Sequence, residues 1–305
     1  MPRTGRTNYL YRMDIGRPQT STGHATALIL GFYLVCAQAS HAACGLSFCP
    51  RPEEPGANNI DLAFMAKETG FDIQGTDGRY TELMGSVQYT AFSHLALGLH
   101  VPFIILEATE TEFGLGNLIA YAEWRSRPSW LSAFGAGVQF ELPTGESQHG
   151  LADDHYMAVP YASLGLPAGP VMLGGALGLA TTLYGNHEEG AHHAGHEPTP
   201  VFVHPHEHLE FLYRISVGAR LLGGKFLPEA FVDGQRVLAT PDDPDAGVDF
   251  LNLGVSLPFQ WKELLLTPSI AIPVLPDHRF EWGAGLTIGW RFGLGGGKSG
   301  HYGET

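Results

Sequence analysis

From residue 59 onward, the chain alternates apolar and polar side chains with a period of two residues. The clearest example covers 280–292, where every even position is apolar and every odd position is small or charged. Successive side chains of a β-strand point to opposite faces, so this segment predicts a strand with one wholly apolar face. Its aromatic residues lie near the two ends, where membrane strands place their interfacial girdles.

The same alternation recurs along the chain and predicts twelve strands. Their ranges are 60–67, 82–89, 94–103, 117–125, 130–142, 156–166, 171–184, 209–221, 226–237, 249–259, 264–274 and 280–292. Pro160, Pro228, Pro258 and Pro268 fall inside four of these ranges. Because proline cannot donate a hydrogen bond to a strand ladder, these four residues predict bulges or strand ends.

The connections between the predicted strands alternate between short and long. The longer set consists of 68–78, 107–113, 143–155, 185–207, 239–247 and a shorter member at 275–278. Outer-membrane barrels have short periplasmic turns and longer extracellular loops. A sheet in lipid must also close, because each unpaired backbone group there costs several kcal/mol. The pattern therefore predicts an all-β fold, an antiparallel transmembrane β-barrel of about 12 strands over 59–293, with longer loops outside the cell.

The composition agrees with a surface that largely faces lipid. Charged residues make up 16% of the sequence, against about a quarter in soluble domains. No run approaches the ~18 consecutive apolar residues of a membrane-spanning helix. The formal net charge is −14, and a field of that sign disfavours nucleic acid as a partner.

The first 42 residues have the layout of an export signal. Four arginines precede an apolar core over 25–39, and small-residue cleavage patterns follow it. We expect 1–42 to be removed as a signal peptide and the barrel to lie in a bacterial outer membrane; a short buried helix is the alternative. Residues 43–58 then form a periplasmic segment, in which Cys44 and Cys49 predict a local disulfide, with a metal site as the alternative. Residues 294–305 are expected to form a flexible tail.

Four short segments carry a resemblance to a known family. They are FGLGNL at 113–118, EWR at 123–125, FELPTG at 140–145 and GLTIGWRF at 285–292. In these segments the chain resembles the outer-membrane family named for the meta-pathway of phenol degradation, with Asn117 in place of that family's usual Asp and Glu123 in place of its usual Lys. The resemblance implies an outer-membrane channel or transporter for small hydrophobic or aromatic solutes.

Charged and titratable side chains on the polar strand faces are expected to point into the barrel. These candidate lumen residues are Glu82, His94, His100, Glu123, Arg125, Glu141, Glu210, Arg214, Arg220, Glu281 and Arg291. A polar interior is expected of a conducting barrel and equally of one that is closed by cross-strand ion pairs, so both interpretations stay open. The expected partners are outer-membrane lipid and a small solute, and the oligomeric state is left open.

The sequence contains no Ser/His/Asp set in an ordered context, no Walker motif and no dinucleotide fingerprint. The sequence therefore predicts no catalytic residue, no enzymatic activity and no required cofactor.

The connection at 185–207 and the residue that follows it are rich in histidine. The histidines are His187, His192, His193, His196, His204, His206 and His208. Neutral imidazole is a good ligand for Zn and Cu. A second hypothesis is therefore a non-conducting surface barrel that binds a transition metal through 186–208. A polar loop with only adventitious metal binding is the alternative.

We expect the purified barrel to bind Zn²⁺ or Cu²⁺ with about micromolar or tighter affinity through this connection, because His-rich tracts bind these metals. Isothermal titration calorimetry measures the affinity, and deletion of 190–206 is the matched variant. Equal affinity before and after the deletion would exclude this connection as the site.

Overall fold

The computed structural model describes residues 58–73, 76–91, 94–126, 133–149, 151–152, 154–185, 209–238, 249–275 and 280–294. Within these ranges, the regular structure consists of fourteen β-strand segments and two 3-10 turns at Ser147–His149 and Leu222–Gly224. The segments are β1 Asn59–Ile73, β2 Thr76–Ala91, β3 Leu95–Glu107, β4 Thr111–Leu115, β5 Leu118–Ser126, β6 Ala133–Leu142, β7 His155–Ala168, β8 Val171–Gly185, β9 Leu209–Ala219, β10 Glu229–Val237, β11 Asp249–Ser256, β12 Phe259–Trp261, β13 Leu264–Pro273 and β14 Trp282–Gly293. Among the described residues, no helix is long and apolar enough to cross a membrane.

Antiparallel pairing between neighbours closes the sheet into a barrel. The first segment, β1, pairs with β2 on one side and with the last segment, β14, on the other. At the other end of the sheet, β13 joins β14 to β11. Because β4 and β5 are halves of one barrel strand, and β11 and β12 are halves of another, the fourteen segments form twelve barrel strands. The predicted twelve-stranded antiparallel barrel is confirmed.

A β-bulge separates β4 from β5. Phe103 is paired with Leu115 and His100 with Ile119, so three residues at 116–118 oppose two residues at 101–102. An extra residue of this kind shifts the side-chain alternation by one position. Exposed positions are therefore odd-numbered in β4 and even-numbered in β5, and Asn117 points into the barrel.

Prolines interrupt the ladder between β11 and β12 without changing its register. Leu257 lies opposite Pro268, and its amide donates to the Pro268 carbonyl oxygen at 2.7 Å. Neither Pro258 nor Pro268 has an N–H to donate, so regular pairing stops for two residues and then resumes. Pro160 remains inside β7, and Pro228 immediately precedes β10.

The outer face of the barrel carries a belt of apolar side chains. Exposed members include Leu62, Phe64, Val87, Leu97, Val101, Leu164, Leu177, Ile215, Val217, Leu253, Val255, Ile270, Ile272 and Ile288. Tryptophan and tyrosine side chains lie at the end where β1 begins and β14 ends, among them Tyr89, Trp124, Trp261 and Trp290. A soluble barrel would place polar residues here, so the belt indicates contact with lipid hydrocarbon.

The belt has a polar border at the other end of the barrel. On the outer face, the Arg79 guanidinium lies 3.4 Å from a Glu68 oxygen and 2.7 Å from a Glu107 oxygen. We call this end, where 143–154, 186–208 and 238–248 connect strands, the loop end; the opposite end, with the tight connections at 92–94, 169–170 and 262–263, is the turn end.

Two of the predicted long loops are strand instead. β1 continues to Ile73 and β2 begins at Thr76, while β3 continues to Glu107 and β4 begins at Thr111. The predicted loops at 68–78 and 107–113 are therefore wrong. Past the apolar belt the outer face becomes charged, so the apolar–polar alternation disappears although backbone pairing continues.

We expect Ile215→Arg, in the middle of β9 and 68% exposed, to destabilise the barrel by ~2–4 kcal/mol, because arginine is costly at the bilayer midplane. Phe292→Arg, at the turn end of β14, is the matched control and should cost only ~0–1 kcal/mol. Urea unfolding in lipid vesicles measures both. Equal costs at the two positions would contradict the assignment of the belt.

Candidate functional site in the barrel lumen

Most of the predicted lumen residues lie on the inner face of the barrel. Those that point inward from strands are Glu82, His100, Glu123, Arg125, Glu141, Glu210, Arg214 and Arg291. Arg220 follows β9 directly and is half-buried. His94 lies in the connection before β3 and Glu281 in the bend before β14; both are exposed and lie outside the buried polar clusters. At the end of a strand, solvent reaches a side chain whether the alternation assigns it to the inner or to the outer face.

Arg125 is the centre of a hydrogen-bonded network near the turn end. Its Nε donates to Glu123 Oε1 at 2.9 Å, and its Nη2 donates to Glu123 Oε2 at 3.2 Å. The same Nη2 donates to Gln88 Oε1 at 3.0 Å. Gln88 Nε2 in turn donates to Asp61 Oδ2 at 3.0 Å. This network joins β5 to β2 and β1.

Two tyrosines extend the network across intervening strands. Tyr121 donates to Gln88 Oε1 at 2.9 Å from the far side of β3, and Tyr161 donates to Glu123 Oε2 at 3.2 Å from the far side of β6. Each ring lies over a glycine of the strand that it crosses, Gly98 in β3 and Gly137 in β6. A Cβ at Gly98 would collide with the Tyr121 ring, and one at Gly137 would lie 2.8 Å from Tyr161 Cζ. Only glycine allows the rings to approach so closely.

A bidentate ion pair ties the network to the seam between the first and last strands. Arg291 Nε donates to Asp61 Oδ1 at 2.7 Å, and Arg291 Nη2 donates to Asp61 Oδ2 at 3.1 Å. These two residues are also register partners across β1 and β14. Charge-assisted bidentate pairs are strong and fix geometry, so this pair positions both the seam and the network.

The opposite wall carries a second polar cluster. Arg214 Nη2 lies 3.5 Å from Glu229 Oε1, and its guanidinium lies over the Phe231 ring, 3.8 Å from the centroid. Ser256 Oγ donates to Glu229 Oε2 at 3.3 Å. These residues are on β9, β10 and β11, so both walls of the lumen carry paired charges.

Residues 143–149, together with 151 and 152, fold onto the inner side of the bulge. Asn117 Oδ1 accepts from the Gly145 amide at 3.1 Å, while Asn117 Nδ2 donates to Glu141 Oε1 at 2.9 Å. The Leu118 amide donates to Thr144 Oγ1 at 2.9 Å. The sequence segments at 113–118 and 140–145 are therefore in direct contact at the bulge between β4 and β5.

Apolar clusters line the lumen towards the loop end. On one wall, Leu151 from this folded segment is fully buried against Phe71, Tyr80, Ile104 and Leu106. On the other wall, the cluster consists of Met157, Val159, Ala176, Ala180 and Leu212. The apolar clusters therefore lie towards the loop end, with Glu82 and Glu210 buried beside them, whereas the Arg125 network lies near the turn end.

Several residues of the site were not among the sequence candidates. Asp61, Gln88, Tyr121 and Tyr161 all belong to the network, although each occupies a position whose alternation assigns it to the inner face. Gln88, Tyr121 and Tyr161 carry no charge at neutral pH and so lacked the property by which candidates were chosen, whereas Asp61 has that property and was overlooked.

Metal ligation is not seen in the part of the chain that the structure describes, where no group of three or more His, Cys, Asp or Glu residues could hold an ion. The histidines at 187–208, Cys44 and Cys49, and the predicted signal peptide all lie outside the described residues.

Comparison with known proteins identifies the fold. The sequence matches no protein-family model and no curated protein. The structure is similar to the crystal structure of an outer-membrane channel from Pseudomonas putida F1, with a TM-score of 0.63 and 10% sequence identity over 81% of this chain and 100% of that chain. The fold is that of an outer-membrane β-barrel.

Two further solved structures are similar at a lower level. The translocator domain of the autotransporter NalP from Neisseria meningitidis has a TM-score of 0.48 at 10% identity, covering 78% of this chain and 89% of that chain. The NanC porin has a TM-score of 0.48 at 7% identity, covering 76% of this chain and 100% of that chain. The resemblance to the phenol-degradation family stays a prediction.

We expect Asn117→Ala to loosen the contact between 143–149 and the bulge, because it removes an acceptor for the Gly145 amide and a donor to Glu141. The free energy of unfolding should fall by ~1–3 kcal/mol, because buried polar groups are left unpaired. Urea unfolding and amide hydrogen exchange at Gly145 measure the effect.

Thr144→Val removes two hydrogen bonds of an exposed hydroxyl, to the Leu118 amide and the Leu142 carbonyl, and should cost less because water can replace them. Unchanged exchange at Gly145 in the Asn117→Ala variant would disprove the role of Asn117.

Proposed function

We propose that this chain is an outer-membrane channel for small solutes and that the Arg125 network is the part of its lumen that selects among them. The supporting fold likeness is to a protein described as an outer-membrane channel. The geometry of the charged pairs in the lumen carries the proposal.

In each main pair of the network, the cation is more accessible than the acid. The side chains of Arg125 and Arg291 are 29% and 26% exposed, whereas those of their partners Glu123 and Asp61 are 8% and 10% exposed. Ion pairs that served only to seal the barrel would bury both members. Here the carboxylates are buried and the guanidinium groups keep the more accessible position.

The apolar clusters support the finer part of the proposal, that the solutes include small hydrophobic or aromatic molecules. Between the loop end and the polar network around Arg125, a solute would pass the apolar clusters around Leu151 and Met157, whose buried side chains would have to move apart. A route with this order suits molecules that combine an apolar surface with a few polar groups. Binding of transition metal by the His-rich connection remains the alternative hypothesis.

We expect the purified protein to give discrete conductance steps in planar lipid bilayers. Arg125→Ala should shift the ion permeability ratio towards cations by about twofold, since charged side chains lining a pore set its selectivity, and here Glu123 would lose its partner. Reversal potentials in a salt gradient measure the shift.

Arg79→Ala is the matched control, because Arg79 pairs with two glutamates on the outer face. It should leave selectivity unchanged. A barrel that is correctly folded but electrically silent, and impermeable to a broad panel of solutes in liposome swelling, would refute the channel.

A further inference from the structure

Four polar atoms on one wall of the lumen are buried and have no hydrogen-bond partner among the described residues. They are Thr69 Oγ1, Glu82 Oε2, Thr267 Oγ1 and Ser269 Oγ. The residues that carry them are between 0% and 4% exposed. Buried polar atoms normally find a partner, and several unsatisfied ones close together indicate a missing one.

The strand register brings these residues together around β14. Gly285 is paired with Ser269 of β13 on one side and with Lys67 of β1 on the other, and Lys67 is paired in turn with Glu82 of β2. Thr69 and Thr267 lie two residues along the same faces from Lys67 and Ser269. The five side chains therefore form one patch, which we call the β14 patch.

Glycines of β14 lie in the middle of this patch. Gly283 and Gly285 face inward and are buried, and they place no side chain between Ser269 of β13 and the groups of β1. Thr267 instead has Thr287 of β14 as its neighbour. The inner wall of β14 therefore presents backbone, and not side chains, to Ser269 of β13 and to Lys67 and Thr69 of β1. Glycine inside a strand often marks the close approach of a ligand or of another backbone.

The donors and acceptors of the patch define what it would bind. Lys67 is 3% exposed, and its ammonium is 3.4 Å from the Tyr80 hydroxyl oxygen, with further donors left over. The patch contains one lysine, one carboxyl group and three hydroxyls, and Glu141 adds a second carboxyl group close enough to influence Glu82. An anionic solute would face two carboxyl groups and a single lysine, whereas a neutral hydroxyl can accept from Lys67 and hydrogen-bond to Glu82.

We propose that the β14 patch is a binding site for a neutral solute bearing several hydroxyl groups, such as a small polyol. The inference rests on the proposed channel function, since the patch lines the same lumen, and it adds a solute class. The patch is separate from the Arg125 network, which does not include any of its five side chains.

Saturation-transfer NMR on the full-length protein in detergent tests the proposal with ribitol as the probe. We expect a saturable signal, and a loss of affinity of about tenfold in the double variant Thr267→Val and Ser269→Ala, which removes two hydroxyls without changing side-chain volume much. Ser163→Ala is the matched control: Ser163 is a buried, inward-facing serine on β7, away from the patch, and its removal should leave affinity unchanged. Heat-modifiable gel migration verifies that each variant is folded.

Gluconate carries hydroxyls similar to those of ribitol together with a carboxylate, and it should compete weakly because the two carboxyl groups of Glu82 and Glu141 outnumber Lys67. Saturable ribitol binding that is lost only in the double variant supports the proposal. The proposal is overturned if ribitol does not saturate, if both variants bind alike (as when ordered water alone satisfies the four atoms), or if gluconate binds more tightly than ribitol. Bilayer conductance of the same samples separates the two proposals, since a conducting barrel without ribitol binding refutes only the patch.

Discussion

In hydrocarbon there is no water to satisfy a backbone N–H or C=O group, and this constraint explains the largest features of the structure. A sheet with free edges would be unstable in lipid, so β1 and β14 must meet. The constraint also governs the irregular places. At the bulge, the Gly116 amide donates to the Pro102 carbonyl, and beside the paired prolines the Leu257 amide donates to the Pro268 carbonyl. The sheet changes its ladder at these positions without leaving those amides unpaired.

Closure places the polar faces of all twelve strands around one narrow interior. Side chains from strands that are not neighbours can then meet, provided that the strand between them has a small residue at that position. Gly98 and Gly137 meet this condition for Tyr121 and Tyr161, and the network around Arg125 depends on it. The inner surface thus acquires a polar network near the turn end and apolar clusters towards the loop end, although every strand has the same simple alternation.

The fold could be read from the sequence because the alternation is local. A side chain such as Leu62 or Ile288 faces lipid for the same reason wherever its strand lies in the barrel. The number of strands and their outward faces can therefore be predicted from the alternating segments. The prediction was wrong at 68–78 and 107–113, where strands extend past the lipid. There the outer side chains are Glu68, Arg79 and Glu107. Because these positions do not face hydrocarbon, the strands lack the apolar–polar alternation on which the prediction depends.

The sequence by itself determined the barrel class, the twelve strands and the inward direction of residues such as Glu123, Arg125 and Arg291, because each depends on a residue and its immediate neighbours. Only the tertiary structure decided which of these side chains meet. Asp61 and Arg291 are separated by 230 positions in the chain and become partners through closure. Asn117 reaches Gly145 only because a bulge turns it inward. Register, bulges and closure are properties of the whole sheet, and no local pattern encodes them.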